Sequence, residues 1–435
     1  MLLPPDLREW VPGNHLVHFL IEAVEQLDLR CAHINERGSG SDQYPPGMML
    51  GLLIYSYATG VFGSRRIEQS TYDSVAVRLL CGDTHPDHDT ICAFRRGHRE
   101  LLSRGFAQVL ELAARCRVLQ VGDITVAIDG TKVLANASKH AAVSYQRAGE
   151  QLRQVEVEIE QLLAKAEAVD AQPLPDGLTV EGELTRRQAR KAQLQQARAE
   201  MEARAYARAQ AERAEKDPDR PGPPPPAAPQ PKDQYNFTDP DSRIMPAGGA
   251  THFEQSYNAQ AAVEVASRLI VGQRVCQATN DREQLEPTLR RVVPAVGPVK
   301  EVLADSGFCS EAAVRTIEQD EHGQPRGITV LAAVGRIRHG RTVVDLEQRA
   351  DPPAPPPGAS FTDRMAHRTA TAAGRARYKL RQQTVEPVFG IIKEALGFRR
   401  FMLRGLEKVS LEWMLVTLAY NLRRLHILGA VLQAA

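Results

Sequence analysis

Apolar positions follow three rhythms along the chain, and each predicts a different architecture. From residue 1 to about 118 they recur at helical spacing in short runs, which predicts several short helices. Asn14 is a candidate cap for a helix opening at His15. Pro45 and Pro46 suit the start of a second, and Ser64 suits the cap of a third through RRIEQSTYDSVAVRLL. A fourth follows Asp87–Asp89 and carries Arg95, Arg96, His98 and Arg99. Basic residues gathered on one short helix suit a DNA-docking module; the alternative is an ordinary solvated face.

Between 141 and about 216 the rhythm changes. Leu152, Val155, Ile159, Leu162, Ala166 and Val169 alternate spacings of three and four, a coiled-coil seam. After QPLPDGL a second helix, from about Glu183, carries Leu194, Ala197, Met201 and Ala205. The two read as an antiparallel helical hairpin. Eight of the 28 prolines then fall between Asp217 and Pro231, with five more between Asp351 and Pro357. Such runs favour extended geometry and end a helix. Residues 141–245 therefore read as an insertion, because β-like patterns flank them on both sides. These are Ile124–Val133, the hairpin Ser256–Val265 with Leu269–Cys276, then Lys300–Phe308 and Ile328–Gly335, with helical stretches between the later ones. That order predicts a mixed α/β sheet. The tail from about Arg375 is helical and includes the apolar face of Leu411–Leu425.

Composition changes this picture in two places. Lys+Arg is 54 against 53 Asp+Glu, a net charge of +1, which excludes a uniformly basic coat-like protein but says nothing of local patches. Residues 361–408 hold 11 Lys+Arg and 4 Asp+Glu, a local +7 of the kind phosphate contacts need. Six cysteines without a CxxC pair argue against a disulfide scaffold and a structural zinc site. Gln43–Ser64 has no charge, but its apolar part, Met48–Ala58, is short of the roughly 20 residues a spanning helix needs. Asp6, Arg8 and Glu9 come too early for a secretion signal, so the expectation is a soluble cytoplasmic protein without a membrane span.

Three acids stand out. Asp129 closes the first apolar strand and precedes Gly130; Asp305 follows Val-Leu-Ala and precedes Ser-Gly. Strand ends are where α/β sheets collect ligand chemistry, although Asp-Gly is also a common turn dipeptide. Glu386 lies in RARYKLRQQTVEPVFGIIKEALGFRR, with Tyr378 and Lys393 on the same helical side. Pro387 is expected to hold Glu386 out of α geometry or to kink the helix. Three convergent carboxylates suit Mg²⁺ or Mn²⁺ rather than zinc.

Together these residues resemble bacterial insertion-sequence transposases of the DDE type, over nearly the whole chain. YPPGMMLGLLIYSYATGVFGSRRIE and PDHDTICAFRR look like their helical N-terminal domain, AIDGTK and VLADSGF like the two catalytic strands, and YKLRQQTVEPVFGIIKEALGFRRF like the helix of the third acid. LEWMLVTLAYNLRRL is similar to the terminal helix. The resemblance implies an α/β, RNase H-like mixed sheet with flanking helices. A helical N-terminal DNA-binding domain (1–118) would precede it. The catalytic domain (119–140 and 246–435) would be interrupted by the coiled-coil hairpin insertion (141–245).

It also implies Asp129, Asp305 and Glu386 as catalytic and metal-binding residues for Mg²⁺ or Mn²⁺. With the insertion removed, about 70 residues separate the two aspartates, enough for three strands and a helix. Tyr378, Arg381, Glu386 and Lys393 fill a Tyr, Arg, Glu, Lys signature, but four residues rather than three separate Arg381 from Glu386. On an ideal helix that turns Arg381 off the Glu386 face. The DNA contacts implied are Tyr378, Arg381, Lys393, Arg399, Arg400, Arg95 and Arg96. The implied activity is metal-dependent cleavage at element ends and strand transfer into target DNA by a homo-oligomer associated with the nucleoid. The rivals are a nuclease of the same fold that cuts without joining, a catalytically inactive DNA-binding relic, and a helical-hairpin scaffold.

Overall fold

A computed structural model describes residues 6–32, 43–167, 178–216, 227–247, 251–335 and 350–432. The chain divides into two compact units, Met1–Ala135 with Tyr257–Ala435, and Asn136–Ser256.

The first unit opens with helices α1 (Leu16–Glu25), α2 (Pro46–Ala58), α3 (Ser64–Asp73), α4 (Val75–Leu80), α5 (His88–Gly97) and α6 (Arg99–Arg115), then strand β1 (Ile124–Leu134). Their starts differ in detail from the expected caps. His15, not Asn14, caps α1, its Nδ1 accepting from the Val17 N–H at 3.2 Å. Ser64 is already inside α3, and the run expected as one helix breaks at Ser74, whose hydroxyl caps α4. Asp87 caps α5 as its sequence suggests, accepting from the N–H groups of Asp89 and Thr90 at 2.9 Å. Every residue of α2 from Met49 to Ala58 is buried. A helix apolar all round has no solvent face to offer, so it lies in the interior. Among the described residues no helix is long and apolar enough to cross a membrane.

The second unit holds β2 (Ala142–Ser144), α7 (Tyr145–Glu167), α8 (Val180–Lys216), β3 (Gln234–Asn236) and β4 (Arg243–Ala247). β2 and β3 pair antiparallel, and α7 packs along α8. Leu194, Ala197 and Met201 of α8 form a core with Val143, Ala148 and Tyr235, flanked by Leu152 and Val155. Further along α7 the expected apolar seam fades and Ala166 is exposed. There ion pairs tie the two helices instead, Arg187–Glu158 at 2.8 Å and Lys191–Glu156 at 3.0 Å. Val169, nearly all of QPLPDGL and most of the proline-rich linker lie outside the described residues.

β5 (His252–Glu264) leads back into the first unit, followed by β6 (Ile270–Cys276), α9 (Leu285–Leu289), β7 (Val299–Ala304), α10 (Glu311–Glu318), β8 (Thr329–Ala332), α11 (Phe361–Ala370), α12 (Ala372–Gly390) and α13 (Leu406–Ile427). In the first unit the strand order is β6-β5-β1-β7-β8. β5 and β6 form the expected antiparallel hairpin, while β1–β7 and β7–β8 are parallel. The mixed sheet, its flanking helices and the helical N-terminal region are the fold class expected from the sequence. The boundary expected near residue 118 does not separate compact units. Its physical reason is α13, whose apolar surface packs against α2, α6 and β6 at once. Asn421 on α13 also accepts from the Ile270 N–H at 2.9 Å and donates to its carbonyl at 2.8 Å. One side-chain amide thereby occupies the backbone groups of an edge strand.

Candidate active site

The register of the parallel strands builds the site. Ile128 pairs with Ala304, and pairing between β1 and β7 stops there. The next residues, Asp129 and Asp305, therefore emerge side by side. β1 itself does not end at Asp129, as expected, but continues to Leu134. Asp305 fills both roles open to it from sequence. Its Oδ1 accepts from the Gly307 N–H at 2.8 Å and caps a short turn, while Oδ2 faces the cleft.

α12 crosses β1, β7 and β8. Thr384, Val385, Val388 and Phe389 turn into the core, and Glu386 stands at its exposed rim. Pro387 does not push Glu386 out of the helix. α12 runs through both residues, and the irregularity falls just beyond, as a π-helical turn over Ile391–Ala395. Such turns occur where a ladder is locally interrupted, often beside functional residues.

Arg381 departs most from expectation. Five residues place it about 140° from Glu386 around an ideal helix. It nonetheless lies on the buried stripe with Thr384 and Val385, and its side chain is only 9% exposed. Its Nη2 is 2.9 Å from Asp129 Oδ2 and 3.8 Å from Asp305 Oδ2, and its Nη1 is 3.0 Å from Glu386 Oε1. One guanidinium thus touches all three acids. Burial pushes the Asp129 carboxyl up to about 7; the Arg381 charge opposes the rise and Asp305 adds to it. Tyr378, half-buried on α12, engages the backbone of Ala333 just past β8, and burial raises its phenol.

Beside Asp129 lies a second polar cluster, not anticipated from the sequence. Asn258 and Gln260 of β5 are fully buried. Their amides donate to Asp281 Oδ1 at 2.6 and 2.7 Å. Lys132 Nζ lies 3.6 Å from the same oxygen, its ammonium disfavoured by burial. The signal was available. Asn and Gln two apart on a strand of small apolar residues share one face, and buried amides need partners. Gly130 serves this cluster rather than a turn. A Cβ there would fall 2.2 Å from Gln260 Nε2 and 2.8 Å from Asp281 Oδ1. Gly130→Ala is expected to lower stability by about 1–3 kcal/mol through overpacking, read from urea denaturation. A loss below that range would mean that the cluster yields freely.

The remaining candidates divide by exposure. Lys393 is half-buried and donates to the Lys132 carbonyl at 2.9 Å. Arg399 is exposed in an ion pair with Glu394, and Arg400 is exposed next to the end of β1, where it bridges Leu134. Arg96 is exposed, with Nε donating to the Cys92 carbonyl at 3.2 Å. Arg95 is 3% exposed, donating to the Tyr57 hydroxyl at 2.7 Å and the Phe62 carbonyl at 2.9 Å. The DNA contact expected of it is corrected: its guanidinium belongs to the core.

In their donor chemistry the three carboxylates fit Mg²⁺ or Mn²⁺. As arranged, with a guanidinium among them, no group of three or more acids, histidines or cysteines among the described residues forms a ready metal site.

A mixed sheet with two aspartates side by side on adjacent parallel strands, and a glutamate brought over them by a crossing helix, defines a class of carboxylate-centred α/β proteins. Two family models match segments of the chain. A "Transposase DDE domain" family model matches residues 357–426, the segment that carries Arg381 and Glu386. A "Transposase domain (DUF772)" model matches residues 5–97. Each match covers less than half of the chain, and over these two segments the chain is similar to insertion-sequence transposases of the DDE type. No curated protein and no solved structure matches it.

Proposed function

We propose that the chain cleaves DNA at the ends of its element and joins the freed 3′-hydroxyl to target DNA, with Asp129, Asp305 and Glu386 as the metal-binding residues. The observation that carries the reading is the Ile128–Ala304 register, which sets the two aspartates side by side beneath Glu386. Mg²⁺ or Mn²⁺ bound by these residues would activate the attacking oxygen and stabilise the leaving one. The chain's own part is positioning. β1 and β7 fix the aspartates, α12 carries the glutamate, and the burial of Asp129 strengthens charge interactions on that side of the site. Exposed Arg400, Arg399 and Arg96 are the DNA-backbone contacts of this reading, with Tyr378 and Lys393 lining the approach. A homo-oligomer would hold two element ends together.

The test uses the full chain, Mg²⁺, a labelled duplex from the DNA that flanks its own coding sequence, and a supercoiled target. Joined products are expected. Nicked duplex without joining would favour the nuclease reading, and intact DNA would favour the inactive relic.

A further inference from the structure

The three acids already have a cation. We propose that Arg381 is their resident counter-ion in the metal-free protein, and that metal binding displaces it from the cluster. The inference rests on the metal-binding assignment proposed above. Asp129 is mostly buried, at 16% side-chain exposure, and a buried carboxylate must be paired or neutralised. Arg381 supplies the pairing through its Nη atoms alone, reaching Asp129, Asp305 and Glu386.

The guanidinium is incompletely satisfied in this position. Its Nε is buried and has no hydrogen-bond partner. A permanent structural arginine at this depth is ordinarily bonded on every edge, because an orphaned buried donor keeps its desolvation cost uncompensated. A divalent ion bound by the same oxygens would lie within a few ångströms of the guanidinium. Like charges that close, in a partly buried site, repel strongly. The two cations therefore exclude each other, and the arginine is the one on a flexible stem. In the metal-free protein Arg381 is a positioning residue: it holds three mutually repelling carboxylates together until the metal arrives.

The test is Mn²⁺ binding, followed by the electron paramagnetic resonance of the free ion, on the full chain without DNA. Arg381→Gln removes the charge and keeps a donor; Arg381→Lys keeps the charge. The glutamine variant is expected to bind Mn²⁺ about ten-fold tighter or more, and the lysine variant close to wild type. Glutamine-variant affinity equal to or weaker than wild type overturns the inference while leaving the metal assignment standing. Absence of Mn²⁺ binding in wild type and variants overturns both. Should the glutamine variant fail to fold, labelling of wild-type Arg381 with an arginine-selective dicarbonyl decides, read by peptide mass spectrometry. Labelling is expected to rise on adding Mn²⁺, and labelling that does not change overturns the inference.

Discussion

Asp129→Asn is expected to abolish DNA cleavage, lowering its rate about a thousand-fold or more, in a protein that still folds. The loss follows from removing one charged oxygen donor from a three-carboxylate site. Charge stabilisation of that kind is worth several kcal/mol in the transition state, and each 1.36 kcal/mol is ten-fold in rate. The fold survives because asparagine has the same shape, and because the Ile128–Ala304 register is made by backbone rather than by this side chain. Arg381 reaches Glu386 through Nη1 and Asp129 through Nη2, so its contact with Glu386 does not run through the Asp129 side chain. Cleavage near wild-type rates would remove Asp129 from the site.

The same substitution carries a pH signature. Burial holds the Asp129 carboxyl at about 7, against an ordinary 3.8. Between those values the folded chain keeps a proton that the unfolded chain has released. The contribution of Asp129 to stability is thus fully present below about pH 4 and is lost as pH rises toward 7. Asparagine cannot titrate, so stability of the variant should fall less steeply over that window. Equal slopes for the two proteins in urea denaturation at pH 4.5 to 7 would contradict the burial argument.

How much of this was legible in the sequence depends on the range of the contacts involved. Asp305 was legible because the end of β7 is a local event, marked by an apolar run and the small residues after it, whereas Asp129-Gly130 reads as a strand end in a strand that runs on to Leu134. The π-helical turn was not, because Pro387 announces a disturbance in the ladder without saying where it will settle. Arg381 was misread because a helical wheel assigns faces to Cα atoms, whereas a long side chain can bring its charge elsewhere. Arg95 was misread for a related reason. It stands beside Arg96 in a basic cluster, and only the packing of α5 and α13 distinguishes the exposed member of the pair from the buried one. Asn258 and Gln260 carried a readable period of two, but their partner Asp281 arrives from a loop. The union of the N-terminal helices with the sheet rests on α13, more than 280 residues away from α6, and no local pattern encodes such a contact.

Arg95→Met is expected to lower stability by about 1–3 kcal/mol, the cost of leaving buried hydrogen-bonding groups without their partner. Glu412 is fully buried on α13, and its Oε1 accepts from the Tyr57 hydroxyl at 2.8 Å. Its carboxylate also takes the N–H groups of Met402 and Leu403 at 2.9 Å. Burial pushes its carboxyl up; the Arg95 charge, the tyrosine and the two backbone donors pull the other way. Arg95 donates to the same tyrosine hydroxyl, so α2, α5 and α13 meet in one charged network. Removing Arg95 takes away the nearby cation that opposes the burial of Glu412; the tyrosine and the two backbone donors remain, and proton uptake by the carboxyl is a further relief. Stability of the variant should therefore recover in part as pH is lowered toward 5. Arg95→Met with Glu412→Gln should cost less than the sum of the two single changes, because neither charge is then stranded. Urea denaturation of the four proteins decides. A loss below about 1 kcal/mol for Arg95→Met would mean that the network carries little energy. A loss of DNA affinity at unchanged stability would restore Arg95 to the DNA-contacting surface from which its burial removes it.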